Sequence, residues 1–442
     1  MPSERRADRN FLRRLIVAEP GEAPAVAAAF LLFFLLFVSY FMLRPVRETF
    51  GIAGGVDKLQ WLWTGTFLAM LLVVPLYGWA AAHVPRRRLL PILYGFSAVV
   101  MLGFAASLAV DPANIWTARA FYIWLSVMNL FVISLAWSLM ADLFDTDQGH
   151  RLFGQIAAGA SLGGLAGPIL SGLLVARLGE AMLLTLSSLL LLSTIPCVFW
   201  LNRWRERAGP RTGPDTGPAA PKRIGGSIWA GLTLIAKSRY LQMISGFIVL
   251  LSVATTFLYF EQARIVRDTF PDRTQQTQVF AAIDAFVQAL TILIQIFFTG
   301  RLARRLGVTV LLTAVPLLMV LGFGALAVVA SFPMLAGVMV LRRVGEYALI
   351  RPGREMLFTP LDNETKYKAK NAIDTAVYRG ADAVSGWTYT AVVAVSGTQM
   401  VVLAGAALAA LWAFVGFRIG RRHDEGDGNA TGAGNEEAEA AA

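Results

Sequence analysis

Cysteine and histidine are scarce in this chain, which has one cysteine and three histidines among 442 residues. Cys197 alone cannot form an intrachain disulfide or a metal site. The sequence also lacks HxxxH, CxxC and Walker-type phosphate-loop patterns, so it contains no recognisable zinc site and no ATP-hydrolysing site. Because no nucleophile can be paired with a base either, we expect no enzyme activity, no metal and no cofactor.

Charged residues are also scarce, at 15% of the chain, whereas 56% of the residues are hydrophobic. A water-soluble protein of this length needs a larger polar fraction to cover its core. The composition therefore indicates a chain whose outer surface faces lipid. The basic N-terminus precedes an apolar run that is too long for a cleaved signal peptide, so we interpret that run as a retained first helix.

The formal net charge is +10, which in a soluble protein would suggest nucleic-acid binding. The positions of the basic residues favour another explanation. An even number of spans places both termini on one side, and 28 of the 39 lysines and arginines fall on that side, against eight on the other. By the positive-inside rule both termini are cytoplasmic. We therefore expect a multi-pass protein of the bacterial inner membrane that is surrounded by lipid and binds no nucleic acid.

The apolar runs are long enough to be transmembrane helices, since a bilayer core requires roughly 20 apolar residues per helix. A stretch rich in Arg, Pro and Gly at 203–226 cannot build a core, and it divides the runs into two sets of six. The sequence therefore predicts an all-α polytopic membrane protein of about twelve transmembrane helices in two six-helix halves. The runs lie near 25–47, 61–82, 89–110, 118–141, 153–177, 181–202, 240–262, 277–299, 308–330, 333–351, 371–396 and 399–418. The predicted divisions are a cytoplasmic N-terminal segment (1–24), a first six-helix bundle (25–202), a cytoplasmic linker with an interfacial helix (203–239), a second six-helix bundle (240–419) and a disordered cytoplasmic tail (420–442).

One motif occurs in both halves. Arg44-Pro-Val-Arg47-Glu-Thr-Phe50 ends the first predicted span, and Arg264-Ile-Val-Arg267-Asp-Thr-Phe270 ends the seventh. The offset is 220 residues throughout, and two arginines, an acid, a threonine and a phenylalanine keep their spacing. A weaker match at an offset of 217 relates the segments after the fourth and tenth spans. We infer an internal repeat of two six-span halves.

Two segments and one basic loop carry a family resemblance. The segments are the one from Tyr40 to Phe50 and NLFVISLAWSLMADLFD at 129–145, and the loop is the arginine-rich one after the second span, with a second copy after the eighth. Together they resemble the major facilitator superfamily, and most closely its nucleotide-translocase-like branch, which includes bacterial ATP/ADP exchangers. In the first copy of the loop, Ala82 replaces the usual acid and Pro85 the second glycine. The resemblance implies two six-helix bundles, transport by alternating access, and gating by Arg86, Arg87, Arg304 and Arg305.

The fifth predicted span carries glycines every four residues, at Gly159, Gly163 and Gly167, followed by Pro168. This pattern resembles the glycine-rich motif of superfamily antiporters, which implies exchange transport and a gating role for Gly163, Gly167 and Pro168. Glycines at this spacing also allow two helices to pack closely. Both interpretations can hold together.

Ionisable side chains inside a span cost several kcal/mol unless they face a cavity or a partner, so they are candidates for function. Arg44, Arg47, Arg264 and Arg267 occupy matching ends of the first and seventh spans. Their guanidinium groups can hold a carboxylate or a phosphate through paired hydrogen bonds. The alternative is that Arg47 and Arg267 form surface ion pairs with the acids that follow them. The other candidates for substrate contact are Asn129, Arg342, Arg343, Tyr378 and Arg379.

Carboxylates inside the spans are candidates for proton coupling, because a carboxylate in a low-dielectric cavity can carry a proton. Three polar residues of the eleventh span, Asp374, Tyr378 and Asp382, are four residues apart and are expected to line one face. The carboxylates can instead balance the arginines, as in a structural pair between Arg342 and Glu346 on one helix face. The four proton-coupling candidates are Asp284, Glu346, Asp374 and Asp382.

The leading hypothesis is a monomeric secondary transporter that moves a small organic anion by exchange, with nucleotides and other phosphorylated metabolites as examples of its substrate. Two alternatives stay open at this point. One is proton-coupled transport of a lipid-like, peptidoglycan-derived or drug-like solute. The other is a transporter-like protein that senses a ligand or scaffolds a complex without moving a solute.

Overall fold

The computed structural model of the protein describes residues 19, 21–207 and 228–440. Within these ranges the chain is helical apart from short connections, and it contains no strand. The helices are α1 (Ala23–Ala53), α2 (Leu59–His83), α3 (Arg86–Val110), α4 (Ile115–Leu143), α5 (Thr146–Arg207), α6 (Ile228–Lys237), α7 (Arg239–Thr269), α8 (Arg273–Ile294), α9 (Gly300–Val328), α10 (Phe332–Gly345), α11 (Arg351–Met356), α12 (Asn363–Ala372) and α13 (Tyr378–Ala440). Short π-helical turns follow α8, α10 and α12, at Gln295–Thr299, Glu346–Ile350 and Ile373–Val377.

Three long helices are interrupted at glycines with a positive φ. Gly179 breaks α5 at φ 74°, Gly307 breaks α9 at φ 70° and Gly397 breaks α13 at φ 77°. Glycine adopts this left-handed conformation without the steric cost that a Cβ imposes. The breaks at Gly179 and Gly397 each fall between two predicted spans, so the chain reverses where the apolar pattern pauses.

Nine stretches among the described residues are long and apolar enough to cross a membrane, and two of them are the interrupted helices α5 and α13. The prediction of an all-α polytopic membrane protein is confirmed, while the count of twelve spans stays a prediction.

The chain forms two compact units, and each unit includes a short segment from the other half of the sequence. Segment 55–67, at the start of α2, belongs to the second unit, and segment 272–285, at the start of α8, belongs to the first. These segments occupy equivalent places in the 220-residue repeat. The first unit comprises 1–54, 68–214 and 272–285, and the second comprises 55–67, 215–271 and 286–442.

Glycines bring α5 close to α1 in the first unit. A Cβ at Gly167 would lie 2.8 Å from the Cβ of Phe41, and a Cβ at Gly163 would overlap with the carbonyl oxygen of Phe34. A Cβ at Gly159 would likewise overlap with the carbonyl oxygen of Phe30. The four-residue glycine spacing therefore acts as a close-packing stripe, as one of its two interpretations predicted.

The second unit packs α13 against α7 and α9. The indole ring of Trp412 is fully buried, with its centroid 5.6 Å from that of Phe247. Gly416 approaches the backbone of α9 so closely that a Cβ there would lie 2.8 Å from the carbonyl oxygen of Leu312. Large apolar side chains thus fill the interior of this unit, and glycines allow its helices to approach each other closely.

The residues predicted to be a disordered tail are helical, since α13 continues to Ala440. Asp424, near the start of this stretch, accepts hydrogen bonds from the backbone N–H groups of Val308 and Thr309, each at 3.0 Å. Its carboxylate therefore pairs with backbone N–H groups that have no partner within the helical segment beginning after Gly307.

The linker contains the predicted short helix, which is α6. A Cβ at Gly231 would lie 2.5 Å from the carbonyl oxygen of Lys368, so α6 packs closely on α12. Residues 208–227 of the linker and residues 1–18 of the predicted N-terminal segment lie outside the described part of the chain. The position of α6 at a membrane interface stays a prediction.

Glu22 connects the start of α1 to the start of α5. Its carboxylate accepts hydrogen bonds from Gln148 Nε2 at 2.7 Å, from Arg151 Nη2 at 3.0 Å and from the backbone N–H of Glu19 at 3.1 Å. Burial disfavours the charged form, but these donors outweigh it and hold the pKa of Glu22 below its ordinary value of 4.5.

We expect the close-packing stripe to be sensitive to a single methyl group. Gly163→Ala should lower the free energy of unfolding by about 1–3 kcal/mol, because its Cβ meets the backbone of α1 and neither helix can yield without shifting. Gly154→Ala is the matched control on the same helix, since nothing lies within 4 Å of its Cβ. Thermal unfolding of the purified protein in detergent measures both. Equal stability of the two variants would contradict the assigned packing.

The contact of Glu22 predicts a pH-dependent stability. A carboxyl group whose pKa is lower in the folded state stabilises the protein at pH values above the pKa of the unfolded state. This contribution disappears as the pH falls through the pKa of the folded state. Glu22→Gln should therefore melt at a lower temperature than the natural protein at pH 7, and the difference should shrink below pH 4.5. Glu19→Gln, whose side chain is 72% exposed, serves as the control. A difference that is constant across this pH range would argue against the role of the Glu22 charge.

Candidate functional site

Arg44 lies inside α1 and faces an acid from the segment of α8 that belongs to the same unit. Its Nε is 3.7 Å from Oδ2 of Asp284, and the two side chains are 17% and 4% exposed. The guanidinium group also lies 5.8 Å from the centroid of the Phe41 ring. The first unit therefore brings together a predicted substrate-binding arginine and a predicted proton-coupling acid from positions 240 residues apart.

Arg47 is mostly buried, so the surface-pair alternative does not describe it. It donates a hydrogen bond to Ser126 Oγ at 3.3 Å, pairs with Glu48, and lies 5.3 Å from the centroid of the Tyr122 ring. Asn129 follows Ser126 by three residues and so lies on the same face of α4. The Oδ1 atom of Asn129 is buried and has no hydrogen-bond partner among the described residues.

Two polar contacts beside these arginines were not anticipated from the sequence. The hydroxyls of Thr49 and Thr277 lie 2.8 Å apart. Arg273 lies 3.6 Å from Glu180 and 5.1 Å from the centroid of the Phe50 ring. Thr49 and Phe50 belong to the repeated motif, which was the only sequence signal that could have drawn attention to them.

In the second unit Arg264 is held by an acid on its own helix. Glu261 Oε2 accepts a hydrogen bond from Arg264 Nε at 3.2 Å, and Tyr389 donates its hydroxyl proton to Glu261 Oε1 at 2.7 Å. Glu261 is 2% exposed. Neither Glu261 nor Tyr389 was among the predicted site residues, because nothing in the sequence relates positions 128 residues apart.

Arg267 behaves differently from its counterpart in the first half. Its Nε lies 2.8 Å from Oδ1 of the adjacent Asp268, and the side chains are 42% and 52% exposed. The helix α7 ends at Thr269, whereas α1 continues for three residues beyond Phe50. The second copy of the motif therefore lies at an exposed helix end, and Arg267 forms the surface pair that the alternative described.

A buried charge cluster lies where α10 passes into its π-helical turn. Arg342 donates a hydrogen bond to Glu346 Oε2 at 2.8 Å and another to Thr255 Oγ1 of α7 at 3.1 Å. Arg351 lies 3.7 Å from the second oxygen of Glu346, and Arg343 is 5% exposed. The predicted structural pair between Arg342 and Glu346 is thus present.

The acids of the eleventh predicted span face different elements. Asp374 lies in a π-helical turn and is 3.1 Å from Arg354 of α11. Asp382 accepts a hydrogen bond from Ser252 Oγ of α7 at 2.6 Å and lies 3.4 Å from Arg379. The two acids are eight residues apart along the helix and so meet different partners, and the expectation that both line one face with Tyr378 stays a prediction.

The gating candidates are only partly described. Arg87 lies 3.6 Å from Glu206 in an exposed ion pair, and the side chains of Arg86, Arg304 and Arg305 lie outside the described part of the structure. Gly163 and Gly167 contact α1, and Pro168 lies inside α5. Their roles in gating stay predictions. Within the described ranges, no group of three or more histidine, cysteine, aspartate and glutamate side chains could hold a metal ion.

Comparisons with known proteins agree with this arrangement of helices. A family model described as Major Facilitator Superfamily matches residues 25–353. ADP,ATP carrier protein 1 of Chlamydia muridarum is 23% identical over 311 residues, which cover 63% of this chain and 58% of the carrier. The protein of the same name from Chlamydia pneumoniae is 22% identical over 382 residues, which cover 80% of this chain and 68% of the carrier. The chain thus spans less than two thirds of the length of the first of these relatives.

Solved structures of transporters have the same fold. A mutant of the nucleoside transporter NupG superposes with a TM-score of 0.65 at 13% identity and covers 89% of this chain and 99% of its own. An auto-inhibited peptide transporter of the POT family superposes with a TM-score of 0.63 at 15% identity and covers 90% of this chain and 97% of its own. At these identities the superpositions show the fold alone.

The buried pair of Arg342 and Glu346 predicts a non-additive response to mutation. Arg342→Met should lower the free energy of unfolding by about 3–5 kcal/mol, because it leaves a buried carboxylate without its main partner. The double variant Arg342→Met with Glu346→Leu should recover much of that loss, since it removes both charges. Thermal unfolding in detergent compares the three proteins. A double variant no more stable than Arg342→Met would show that Arg342 and Glu346 are not energetically coupled.

Proposed function

Because the chain belongs to the major facilitator superfamily of membrane transporters, we propose that it carries a small organic anion across the bacterial inner membrane, in exchange for a similar anion. Both termini would lie in the cytoplasm, and the functional unit would be a monomer that moves its cargo by alternating access. The observation that carries this proposal is the set of mostly buried guanidinium groups inside the apolar helices, led by Arg44 facing Asp284.

Guanidinium groups suit the recognition of carboxylates and phosphates. They are planar and permanently charged, and their fork of N–H donors matches two oxygens of one anion. Arg44, Arg47 and Arg264 are each mostly buried, at 17%, 16% and 28% side-chain exposure. An arginine in such surroundings is held there at a cost unless an anion compensates it. These three residues are the substrate contacts that we favour. The pair of Arg267 with Asp268 is exposed, so we place Arg267 outside the direct substrate contacts.

The acids beside these arginines support exchange in particular. Arg44 faces Asp284 and Arg264 is bound by Glu261, so each guanidinium group is neutralised by a side chain when no cargo is bound. A phosphate or carboxylate of the substrate offers the same oxygen chemistry as the side-chain acid it replaces. Binding then replaces the side-chain acid by the cargo as the partner of the arginine, so the guanidinium group stays compensated throughout. Cargo on either side can complete the same substitution, which is what exchange requires.

Nucleotides are the substrate class that we favour among organic anions. The relatives from Chlamydia muridarum and Chlamydia pneumoniae are named as carriers of ADP and ATP, and one structural neighbour is named as a nucleoside transporter. Phosphate oxygens are the anionic groups for which arginine provides paired donors. The glycine stripe of α5, which resembles an antiporter motif, is consistent with exchange of one nucleotide for another.

The proposal predicts that two arginines are each required for nucleotide exchange. In proteoliposomes loaded with ADP, the natural protein should take up labelled ATP, and empty vesicles should not. Arg44→Ala and Arg264→Ala should abolish this uptake while the proteins remain folded. Arg44→Lys and Arg264→Lys should retain weakened uptake, since lysine keeps the charge but loses the paired donors. A lost charged hydrogen bond of about 1.5–3 kcal/mol corresponds to an affinity roughly 10- to 150-fold lower.

Two exposed arginines provide matched controls for these variants. Arg177→Ala changes an exposed arginine in the first unit, and Arg239→Ala changes one in the second. Both should transport as the natural protein does, and thermal unfolding should show that all variants are folded. Unchanged ATP uptake in both Arg44→Ala and Arg264→Ala would refute the substrate assignment. A folded natural protein that exchanges no nucleotide would refute the proposed cargo.

A further inference from the structure

We propose that Asn129 recognises the base of the cargo and that Tyr40 stacks against that base, which makes the first unit selective for an adenine nucleotide. This inference rests on the proposed transport of nucleotides and adds a base subsite to it. Both side chains are half-buried, Tyr40 on α1 and Asn129 on α4. Both helices also carry the polar groups that hold Arg47.

The Oδ1 atom of Asn129 is a buried acceptor, and no atom in the described part of the chain donates a hydrogen bond to it. The backbone of α4 cannot supply the donor, because N–H groups inside a helix are bonded to carbonyls four residues earlier. A buried polar atom without a partner is costly, and native proteins contain few of them. In a transporter the cargo can supply such a donor, because it enters and leaves the site at each turnover.

Ser126, three residues before Asn129 on the same face of α4, already has partners for its hydroxyl group. It donates a hydrogen bond to the carbonyl oxygen of Tyr122 at 2.7 Å and accepts one from Arg47 Nη1 at 3.3 Å. The Asn129 amide therefore lies about one helical turn from a serine that holds a phosphate-binding arginine of the proposed site. A nucleotide needs such neighbouring subsites, since the ribose joins its base to its phosphates.

Three contacts show how α1 and α4 lie side by side. These are the contacts of Phe50 with Phe121, of Arg47 with Ser126 and of Phe33 with Trp137. Because the residue numbers fall on one helix as they rise on the other, the two helices are antiparallel. At this register Asn129 is level with the turn of α1 that runs from Tyr40 to Arg44. The amide therefore lies between the aromatic ring and the arginines along the length of the helices.

Tyr40 provides an aromatic surface about one turn of α1 before Arg44 and about 10 Å along the helix from Arg47. Its ring meets that of Phe41 edge-on, with the centroids 5.1 Å apart and the planes at 83°. The guanidinium group of Arg44 lies over the Phe41 ring, 5.8 Å from the centroid. Stacking on an aromatic ring tolerates any base, because every base has a π face. Tyr40 therefore contributes affinity for the base, and selectivity comes from Asn129.

The chemistry of the amide favours adenine among the bases. A carboxamide has an acceptor oxygen beside a donor nitrogen. One edge of adenine has the 6-amino donor next to the N7 acceptor, so it pairs with both atoms of an asparagine, whereas the same edge of guanine has two acceptors. Adenine thus supplies the donor that Oδ1 of Asn129 requires. The ribose hydroxyls are the other donors that a nucleotide offers.

The second half of the chain differs at the equivalent position. The counterpart of Asn129 at the 217-residue offset is Glu346, whose carboxylate accepts a hydrogen bond from Arg342 at 2.8 Å. That position is charged and is paired within the chain. A neutral amide at position 129 does not repel an anionic cargo, as a carboxylate beside the phosphate-binding arginines would. Recognition of the base is therefore assigned to the first unit.

The first test measures binding without transport. Thermal unfolding of the purified protein in detergent, at increasing concentrations of ATP or of inosine triphosphate, gives the affinity for each. Inosine triphosphate has an oxygen in place of the 6-amino group, so the natural protein should bind ATP roughly 5- to 150-fold more tightly. Asn129→Leu should bind the two equally. Asn202→Leu, the same change at a half-buried position of α5, should keep the preference for ATP.

Two further comparisons separate the roles within the subsite. Tyr40→Leu should weaken binding of ATP and of inosine triphosphate by a similar factor and leave their ratio unchanged, whereas Tyr40→Phe should bind both as the natural protein does. Asn129→Leu should bind 2′-deoxy-ATP and 3′-deoxy-ATP as it binds ATP, relative to the natural protein. If Asn129→Leu loses selectivity for the ribose hydroxyls and keeps the preference for ATP over inosine triphosphate, the base assignment is overturned.

The second test uses proteoliposomes loaded with ADP and labelled ATP as the probe. Unlabelled inosine triphosphate should inhibit ATP uptake by the natural protein only weakly, and it should inhibit Asn129→Leu as strongly as unlabelled ATP does. A natural protein that is stabilised equally by the two nucleotides, or by neither, would overturn the proposal. If the natural protein exchanges no nucleotide, the proposed function fails, and the binding measurements in detergent still decide whether Asn129 recognises the base.

Discussion

The neutralisation of charges inside an apolar helical protein is the constraint on which the rest of this structure depends. A guanidinium or carboxylate group within a span is stable only when a partner replaces the water that it has lost. Arg44 with Asp284, Arg264 with Glu261, and Arg342 with Glu346 each satisfy this requirement with a different geometry. Because these groups cannot remain alone, any cargo that displaces one partner must supply an equivalent charge.

The internal repeat supplies two copies of one arginine motif, and the fold gives them different surroundings. Arg47 is mostly buried beside Ser126 and Tyr122, whereas Arg267 is exposed beside Asp268. The difference follows from where the helices end, since α1 continues beyond its motif and α7 stops within its own. Repeated sequence therefore does not imply repeated chemistry.

The sequence was sufficient for the fold class and the family, because both depend on local properties. Apolar runs of membrane-spanning length predicted the helices, and the pauses between them contain Gly179 and Gly397, where the chain reverses. Partners from distant positions could not be predicted in this way. The contacts of Arg44 with Asp284 and of Glu261 with Tyr389 join residues that are far apart in the chain. The π-helical turn at Ile373–Val377, which contains Asp374, was likewise not predictable from the apolar pattern.

The type of partner, more than burial, determines what a carboxylate inside this protein can do. An acid held by arginine alone is favoured in its ionised state, since protonation would leave the cation without its counter-charge. Asp382 has both kinds of partner, because Ser252 donates a hydrogen bond to it at 2.6 Å and Arg379 lies 3.4 Å away. The same helix face of α7 holds both kinds of contact, because Thr255 lies beside Ser252 and binds Arg342. One helix thus contacts both the pair of Arg342 with Glu346 and the carboxylate of Asp382, and a movement of that helix would reach both.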